Sequence, residues 1–320
     1  SVRRPVMVRR GASSAISDDG RTCFVFVPSA RPEVMAIDAS TGGIRWSTAS
    51  RDDLQGLVPM SRPTAADGRV FLLAVPAGLP PTVGLGAARD AGPPVVWRLV
   101  CLNGTDGGLL WEQILGWQPY TLIDVARGAA GISVHDGGIY GATNMGIVAR
   151  CDARDGAVDW VRGYASMANT DPRSDTYGRE GAAPLVVGDR VLVAPRDHSG
   201  VLAFARDTGA ILWEAIAVPS DRLVGVAGRI VIGVSDRRVC GIDVTTGQPV
   251  WSRTFAEGTA SRAALHGDDV LVVSGATLQR LSAATGESRE TLAPAGTPGA
   301  AIVLSGSGRV IELLPVQPAG

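Results

Sequence analysis

Apolar residues in this chain come in short runs of four to six, and each run is closed by Gly, Asp, Asn or Pro. Runs of that length bounded by turn formers predict β-strands. One phrase shows the arrangement clearly: Val201 to Phe204, then Asp207-Thr208-Gly209-Ala210-Ile211-Leu212-Trp213. A Gly with an aromatic four places on recurs as Gly42/Trp46, Gly107/Trp111, Gly156/Trp160, Gly209/Trp213 and Gly247/Trp251, and once more, without the aromatic, as Gly286/Glu290. An apolar quartet precedes each: Val34 to Ile37, Leu99 to Leu102, Val148 to Cys151, Val201 to Phe204, Val239 to Ile242, Leu278 to Leu281. One unit therefore predicts a strand, a tight turn whose Gly accepts positive φ, and a second strand carrying an indole.

Two further strands precede each of these hairpins. In the first repeat they are Ser14 to Ile16 and Cys23 to Val27, separated by Asp18-Asp19-Gly20. Four short antiparallel strands in roughly 40 residues is the pattern of a propeller blade. The fold class predicted is all-β, a β-propeller of four-stranded blades in one domain over 1-320. The blades run approximately 12-50, 62-115, 129-164, 182-216, 221-254 and 261-292, with 299-315 completed by 1-10. Pro5 to Val8 would supply a strand missing from the last unit, closing a ring of seven blades, with eight as the alternative.

The repeats are unequal. Successive glycines of the motif lie 65, 49, 53, 38 and 39 residues apart, so the second to fourth units hold the extra chain. The additions are Pro76 to Pro94, placed between second and third strands, and Glu112 to Ala130 and Val161 to Ala182, placed between blades. All three additions fall on the face opposite the Gly hairpins, which marks that loop face as the working surface.

Composition changes little in this picture. An apolar fraction of 45%, a charged fraction of 19% and a net charge of -1 describe a folded protein with no electrostatic reason to bind nucleic acid. No apolar run reaches the length of a membrane span. Cys101, Cys151 and Cys240 occupy the same strand in different repeats, so the four cysteines read as free thiols in the core. The chain starts Ser1-Val2-Arg3-Arg4 without an apolar leader, which reads as a mature form or a piece of something longer.

Candidate chemistry is sparse. His135, His198 and His266 are dispersed and suggest no metal site, and the Asp-Asp pairs read as turn formers. No catalytic residue, cofactor site or metal site is assigned. The binding-face candidates are the links: Trp117 and Tyr120; Asn144; Asn169, Asp171, Arg173, Asp175, Tyr177, Arg179 and Glu180; Arg196, Asp197 and His198; and Asp236 and Arg237. Aromatics interleaved with arginine are the residue types that binding surfaces favour. Trp46, Trp111, Trp160, Trp213 and Trp251 read instead as structural docking residues between blades.

The unit Leu-x-Ala-hydrophobic-Asp-x-x-Thr-Gly-x-x-x-Trp resembles the repeat of the PQQ-like, quinoprotein-type β-propellers. Ile37-Asp38, Cys151-Asp152 and Ile242-Asp243 keep its Asp, while Leu102-Asn103, Phe204-Ala205 and Leu281-Ser282 depart from it. The resemblance covers about residues 12 to 315 and implies indoles docked between adjacent blades. That family includes quinone-dependent dehydrogenases and non-catalytic envelope scaffolds. The dehydrogenases hold calcium with Glu, Asn and Asp, and many carry adjacent cysteines; this chain has no adjacent cysteines and no matching acidic set. The resemblance thus implies a non-catalytic member that binds a protein partner, periplasmic, secreted or attached to an envelope complex. The alternatives are a PQQ and calcium dehydrogenase, or a small-molecule or carbohydrate sensor using the central funnel.

Overall fold

A computed structural model describes residues 13–27, 32–77, 95–118, 130–143, 146–165, 182–195, 197–198, 200–216, 218, 220, 222–235, 237–255, 263–274, 277–292, 301–304 and 310–313. Within these the chain is almost wholly β. The first sheet is β1 (Ser13–Ile16), β2 (Thr22–Val27), β3 (Glu33–Asp38) and β4 (Ile44–Ser47) in simple up-and-down order. The second comprises β5 (Leu57–Pro59), β6 (Thr64–Ala66), β7 (Arg69–Pro76), β8 (Val95–Asn103) and β9 (Leu109–Gln118). The third is β10 (Gly131–His135), β11 (Gly138–Ala142), β12 (Ile147–Asp152) and β13 (Val158–Gly163). The fourth is β14 (Leu185–Val187), β15 (Arg190–Val193), β16 (Val201–Ala205) and β17 (Ile211–Ala215). The fifth is β18 (Arg222–Ala227), β19 (Ile230–Val234), β20 (Arg238–Asp243) and β21 (Pro249–Thr254). The sixth is β22 (Ala264–His266), β23 (Asp269–Ser274), β24 (Thr277–Ser282) and β25 (Ser288–Leu292). The pair β26 (Ala301–Leu304) and β27 (Val310–Leu313) stands where a further unit was expected. Residues 1–12, from which its missing strand was to come, lie outside the described residues.

Two compact units emerge, one of Ser1–Val191 with Pro195–His198 and Ala205–Ala210, the other of Leu192–Ala194, Ser199–Phe204 and Ile211–Gly320. In the first unit a core joins the first and second sheets through Phe24, Val34, Val70, Leu72 and Val100. A larger one joins the second and third through Phe71, Leu73, Trp97, Leu99, Ile139 and Cys151. In the second unit Ile232, Val239, Val270, Val272 and Leu281 do the same for the fifth and sixth sheets. The core therefore sits between sheets, which explains why the middle strands are buried along almost their whole length whereas β17 is mostly exposed. Fully burying each of the large aliphatic side chains contributes on the order of 1.5–3 kcal/mol.

Within each sheet the two hairpin turns are tied together at one end. A backbone N–H in the second turn donates to a carbonyl beside the first: Ala39 to Arg21, Gly104 to Gly68, Ala153 to Gly137, Arg206 to Asp189, Val244 to Arg229, Ala283 to Asp268. The second turn is a four-residue loop closed by two backbone bonds, as in Asp38 N–H to the Gly43 carbonyl and Gly42 N–H to the Asp38 carbonyl, both 2.8 Å. Asp38 caps it, accepting from the amides of Ser40 and Thr41, and the Ser40 hydroxyl together with Arg45 holds its carboxyl well below the usual carboxylate range. Asn103 caps in the same way through Thr105 N–H. The turns at Ala205 and Ser282 keep the two backbone bonds and a threonine hydroxyl, of Thr208 and Thr285, that accepts the N–H two residues on, so the motif's Asp is a reinforcement that two repeats omit.

A β-bulge lies at the same place in all six sheets, between Ala36/Ile37, Cys101/Leu102, Arg150/Cys151, Ala203/Phe204, Gly241/Ile242 and Arg280/Leu281. The bulge adds a residue to the outer strand and re-aims the indole that follows. Each indole lies against the motif Gly of the next repeat: Trp46 on Gly107, Trp111 on Gly156, Trp160 on Gly209, Trp213 on Gly247, Trp251 on Gly286. A methyl group on any of these glycines would come within 2.5–2.7 Å of the ring. The indole N–H then donates to a carbonyl of the same turn, at Gly104, Arg154, Arg206, Val244 and Ala283 respectively. The two ends of the series differ. Among the described residues Gly42 has no atom near its missing methyl, and Glu290, in place of the sixth Trp, lies 3.8 Å from Arg280 across the strand.

The second sheet departs most from expectation. Its first strand is split into β5 and β6, which pair with opposite ends of β7. Between them Ser61, fully buried, turns its hydroxyl to accept the Leu73 N–H at 2.8 Å, standing in for a ladder carbonyl. β8 begins at Val95 and β9 extends to Gln118, so Glu112 to Gln118, read as a link, is strand, and the unit spans Leu57 to Gln118 where 62-115 was expected. The four residues gained ahead of Leu99 give β9 a partner to pair with, and that lengthens the ribbon.

Matched substitutions separate the two demands on the motif Gly. Gly42→Ala, at φ 69° with no described residue in its way, is expected to cost about 1 kcal/mol of unfolding free energy, from left-handed strain alone. Gly209→Ala, at φ 68°, should cost about 1–3 kcal/mol more because Trp160 is in the way, as read by urea unfolding. Trp251→Phe should destabilise more than Trp160→Phe. It orphans the Ala283 carbonyl, whereas the Arg206 carbonyl keeps its bond from Arg150 at 3.1 Å.

Candidate functional site

At the ends of the sheets away from the hairpins, the described residues build one polar cluster, between the third and fourth repeats. It starts with Tyr164, just beyond β13. Its main chain continues the ladder by donating to the Gly146 carbonyl at 2.9 Å. The phenol oxygen lies 2.7 Å from the Thr143 carbonyl and 2.5 Å from Asp197 Oδ1, and these two acceptors share its one proton. Asp197 uses its other oxygen to accept the Gly146 N–H at 2.8 Å. Thr143 is buried, and its hydroxyl accepts the Ile147 N–H at 3.1 Å, closing the turn at the end of β11. His198, only 9% exposed, sets its ring edge-on to Tyr164 with centroids 6.1 Å apart.

Burial is the larger reason, and the Asp197 charge the next, why the Tyr164 hydroxyl titrates well above an ordinary tyrosine. It stays protonated and donating at any physiological pH. The arrangement is a clamp: one carboxylate holds the roots of two successive second-to-third-strand links and the start of the following inter-repeat link. Of the sequence candidates, the structure thus brings Asp197 and His198 together.

Tyr164 was missed. Its signal lies in the repeat itself, since the residue four after the motif Trp is Leu115 in the second repeat and Phe255 in the fifth, both buried. Phe255 N–H donates to the Arg237 carbonyl at 2.8 Å, as Tyr164 N–H does to Gly146. A tyrosine at a position otherwise filled by an apolar plug brings a hydroxyl that needs buried partners.

Trp117 lies in β9 and not in a loop. It pairs with Val96 and is 65% exposed, with Ile114 on the same ribbon 52% exposed. Arg98 and Glu112 form an ion pair beside them. The opposite face of the ribbon, with Trp97, Leu99 and Leu115, is buried in the core shared with the third sheet. Arg237 is exposed at the start of β20. Tyr120, Asn144, Asn169, Asp171, Arg173, Asp175, Tyr177, Arg179, Glu180, Arg196 and Asp236 lie outside the described residues.

The donors for a quinone and calcium are not assembled among the described residues. No three His, Cys, Asp or Glu side chains converge, and the histidines stay apart, His135 next to Asp136 on the surface. All four cysteines are free. Burial pushes the thiols of Cys101 and Cys151 up to about 12, which leaves them without nucleophilic character.

No curated protein matches the sequence. The structure is similar to that of BamB from Moraxella catarrhalis, with a TM-score of 0.61 and 17% identity, covering 89% of this chain and 76% of that one. A computationally designed protein, Ika8, aligns with a TM-score of 0.49 and 12% identity over 94% of this chain and 96% of that one. A family model described as outer membrane protein assembly factor BamB matches residues 8–194 and again 96–311. Two overlapping matches to one model are what an internally repeated chain produces, and together with the repeated sheets they show that this chain belongs to that family of PQQ-like repeat β-propellers.

Proposed function

We propose that this protein is a non-catalytic assembly scaffold of the cell envelope, which docks protein partners on the link side of its second to fourth repeats. The observation that carries this reading is the extended β8–β9 ribbon. One face of it is core, and the other presents Trp117 and Ile114 to solvent around a neutralised Arg98–Glu112 pair. An exposed Trp beside an aliphatic residue on a rigid strand is a ready anchor for an interface, since little side-chain freedom is lost on binding. The family description, outer membrane protein assembly factor, supports the protein-binding role and the envelope location. The Tyr164–Asp197 clamp supports it further by fixing the roots of the links that hold Asn144, Arg196 and the 166–181 stretch.

Crosslinking in native envelopes, followed by identification of the captured proteins, tests the proposal. Trp117→Ser with Ile114→Ser is expected to reduce capture of the specific partner at least tenfold while leaving the unfolding midpoint unchanged, because both side chains are already in water. Tyr164→Phe should lower capture severalfold and cost about 1–3 kcal/mol of stability, since it leaves Asp197 and the Thr143 carbonyl short of a donor. Undiminished capture by the Trp117/Ile114 variant, or stoichiometric quinone and calcium bound by the pure protein, overturns the reading.

A further inference from the structure

At the hairpin end, two positions decide how fully the space between one repeat and the next is filled. The first is the residue that opens the second strand, opposite the start of the motif turn: Thr22, Arg69, Gly138 and Ile230 face Asp38, Asn103, Asp152 and Asp243. The second is the residue opposite the Trp: Ala36, Cys101, Arg150 and Gly241. In the second repeat Arg69 fills the space, its guanidinium donating to the carbonyls of Ala153 and Arg154 in the third repeat at 2.7 and 2.9 Å. In the third, Gly138 leaves room and Arg150 takes over, donating to the Arg206 carbonyl of the fourth at 3.1 Å. In the fifth, Ile230 closes over Gly241.

The first repeat has a small residue at both positions, Thr22 and Ala36. A cleft of about 270 Å³ opens there against the second repeat, with Thr22 and Phe24 on one side, Arg69, Gly104 and Thr105 on the other, and Asp18 and Asp19 beside it; the Arg69 guanidinium is already engaged by the Ala153 and Arg154 carbonyls. Gly104 and Thr105 stand where Ala153 and Arg154 stand one repeat later. The Gly104 carbonyl accepts from the Trp46 indole at 3.1 Å, and no side chain among the described residues donates to that of Thr105. Arg45 forms part of the wall, but its charge is met by Asp38 at 2.5 Å and its remaining nitrogen by Thr22. The Ser17 hydroxyl and the Arg21 amide hold the Asp19 carboxyl below the usual range and therefore charged.

We propose that this cleft binds a guanidinium group, an arginine side chain brought from outside into the place that Arg69 and Arg150 fill in the next two repeats. A guanidinium has a planar fork of N–H donors that reaches two neighbouring carbonyls, which the single ammonium of lysine does not reproduce. The carboxylates of Asp18 and Asp19 supply charge complementarity at the rim. The site is at the hairpin end and is independent of the docking surface proposed above.

Calorimetric titration with free arginine and with a capped arginine tripeptide tests this, with lysine and citrulline as controls. Saturable binding of the tripeptide alone identifies a protein segment as the source, and binding of both, or of arginine alone, identifies the free guanidinium compound; each supports the site. Arginine and tripeptide binding no tighter than lysine or citrulline overturns it. Thr22→Ile fills the cleft as Ile230 does in the fifth repeat and is expected to weaken binding about tenfold, because its side chain occupies the place of the guanidinium. Asp18→Asn, which can still accept the Gly68 N–H, should weaken it severalfold without altering the packing, and stands as the check should Thr22→Ile not fold. Wild-type affinity in the folded variants places any bound arginine elsewhere and removes the proposal.

Discussion

The contact between an indole and a glycine one repeat later is the interaction on which the remaining structure depends. A β-sheet of four short strands has no stability of its own until its faces are covered. Here the covering surface is the neighbouring sheet, and the indole sets how close that neighbour comes. The ring meets bare backbone, so the glycine is required twice, for its positive φ and for its missing methyl. The indole N–H then satisfies a carbonyl of the same turn, and apolar contact is converted into a fixed register between repeats.

Other features serve that contact. The bulge preceding each Trp turns its side chain out of strict alternation and toward the next repeat. The Asx caps stiffen the turn that receives it. Gly42 and Glu290 stand at the two ends of the series: among the described residues no ring lies against the glycine, and at the other position a charged residue replaces the ring. The same logic explains the cleft beside Thr22, where both residues that fill the space in the second, third and fifth repeats are small.

The two ends of each sheet are under different constraints. The hairpin end is crowded with repeat-specific contacts, and its sequence is accordingly regular. The other end has to satisfy only its own links, so its sequence varies and its polar groups find individual solutions, such as the Tyr164–Asp197–Gly146 clamp. That freedom is why the candidate site was only partly readable. Asp197 and His198 could be proposed from their place in a link, but their partner Tyr164 occupies a repeat position elsewhere taken by Leu115 and Phe255. For Trp117 the sequence predicts a loop, because nothing in the residues 112–118 by themselves shows that β8 starts early enough to pair with them.

From the sequence alone come the class, the repeat, the position of the hairpins and the spacing from Gly to Trp within each, because each follows from local chemistry that recurs: a strand of four apolar residues, a turn that needs Gly, an aromatic at constant spacing. Only the tertiary structure decided the split first strand around Ser61, the length of the β8–β9 ribbon, the bulge shared by six sheets, and which buried acceptor each hydroxyl and guanidinium found. These depend on distances between residues far apart in the chain. Whether a polar side chain is solvated or clamped, and whether a gap is filled by Arg69, by Arg150 or by nothing, is settled by what the neighbouring repeat places opposite it.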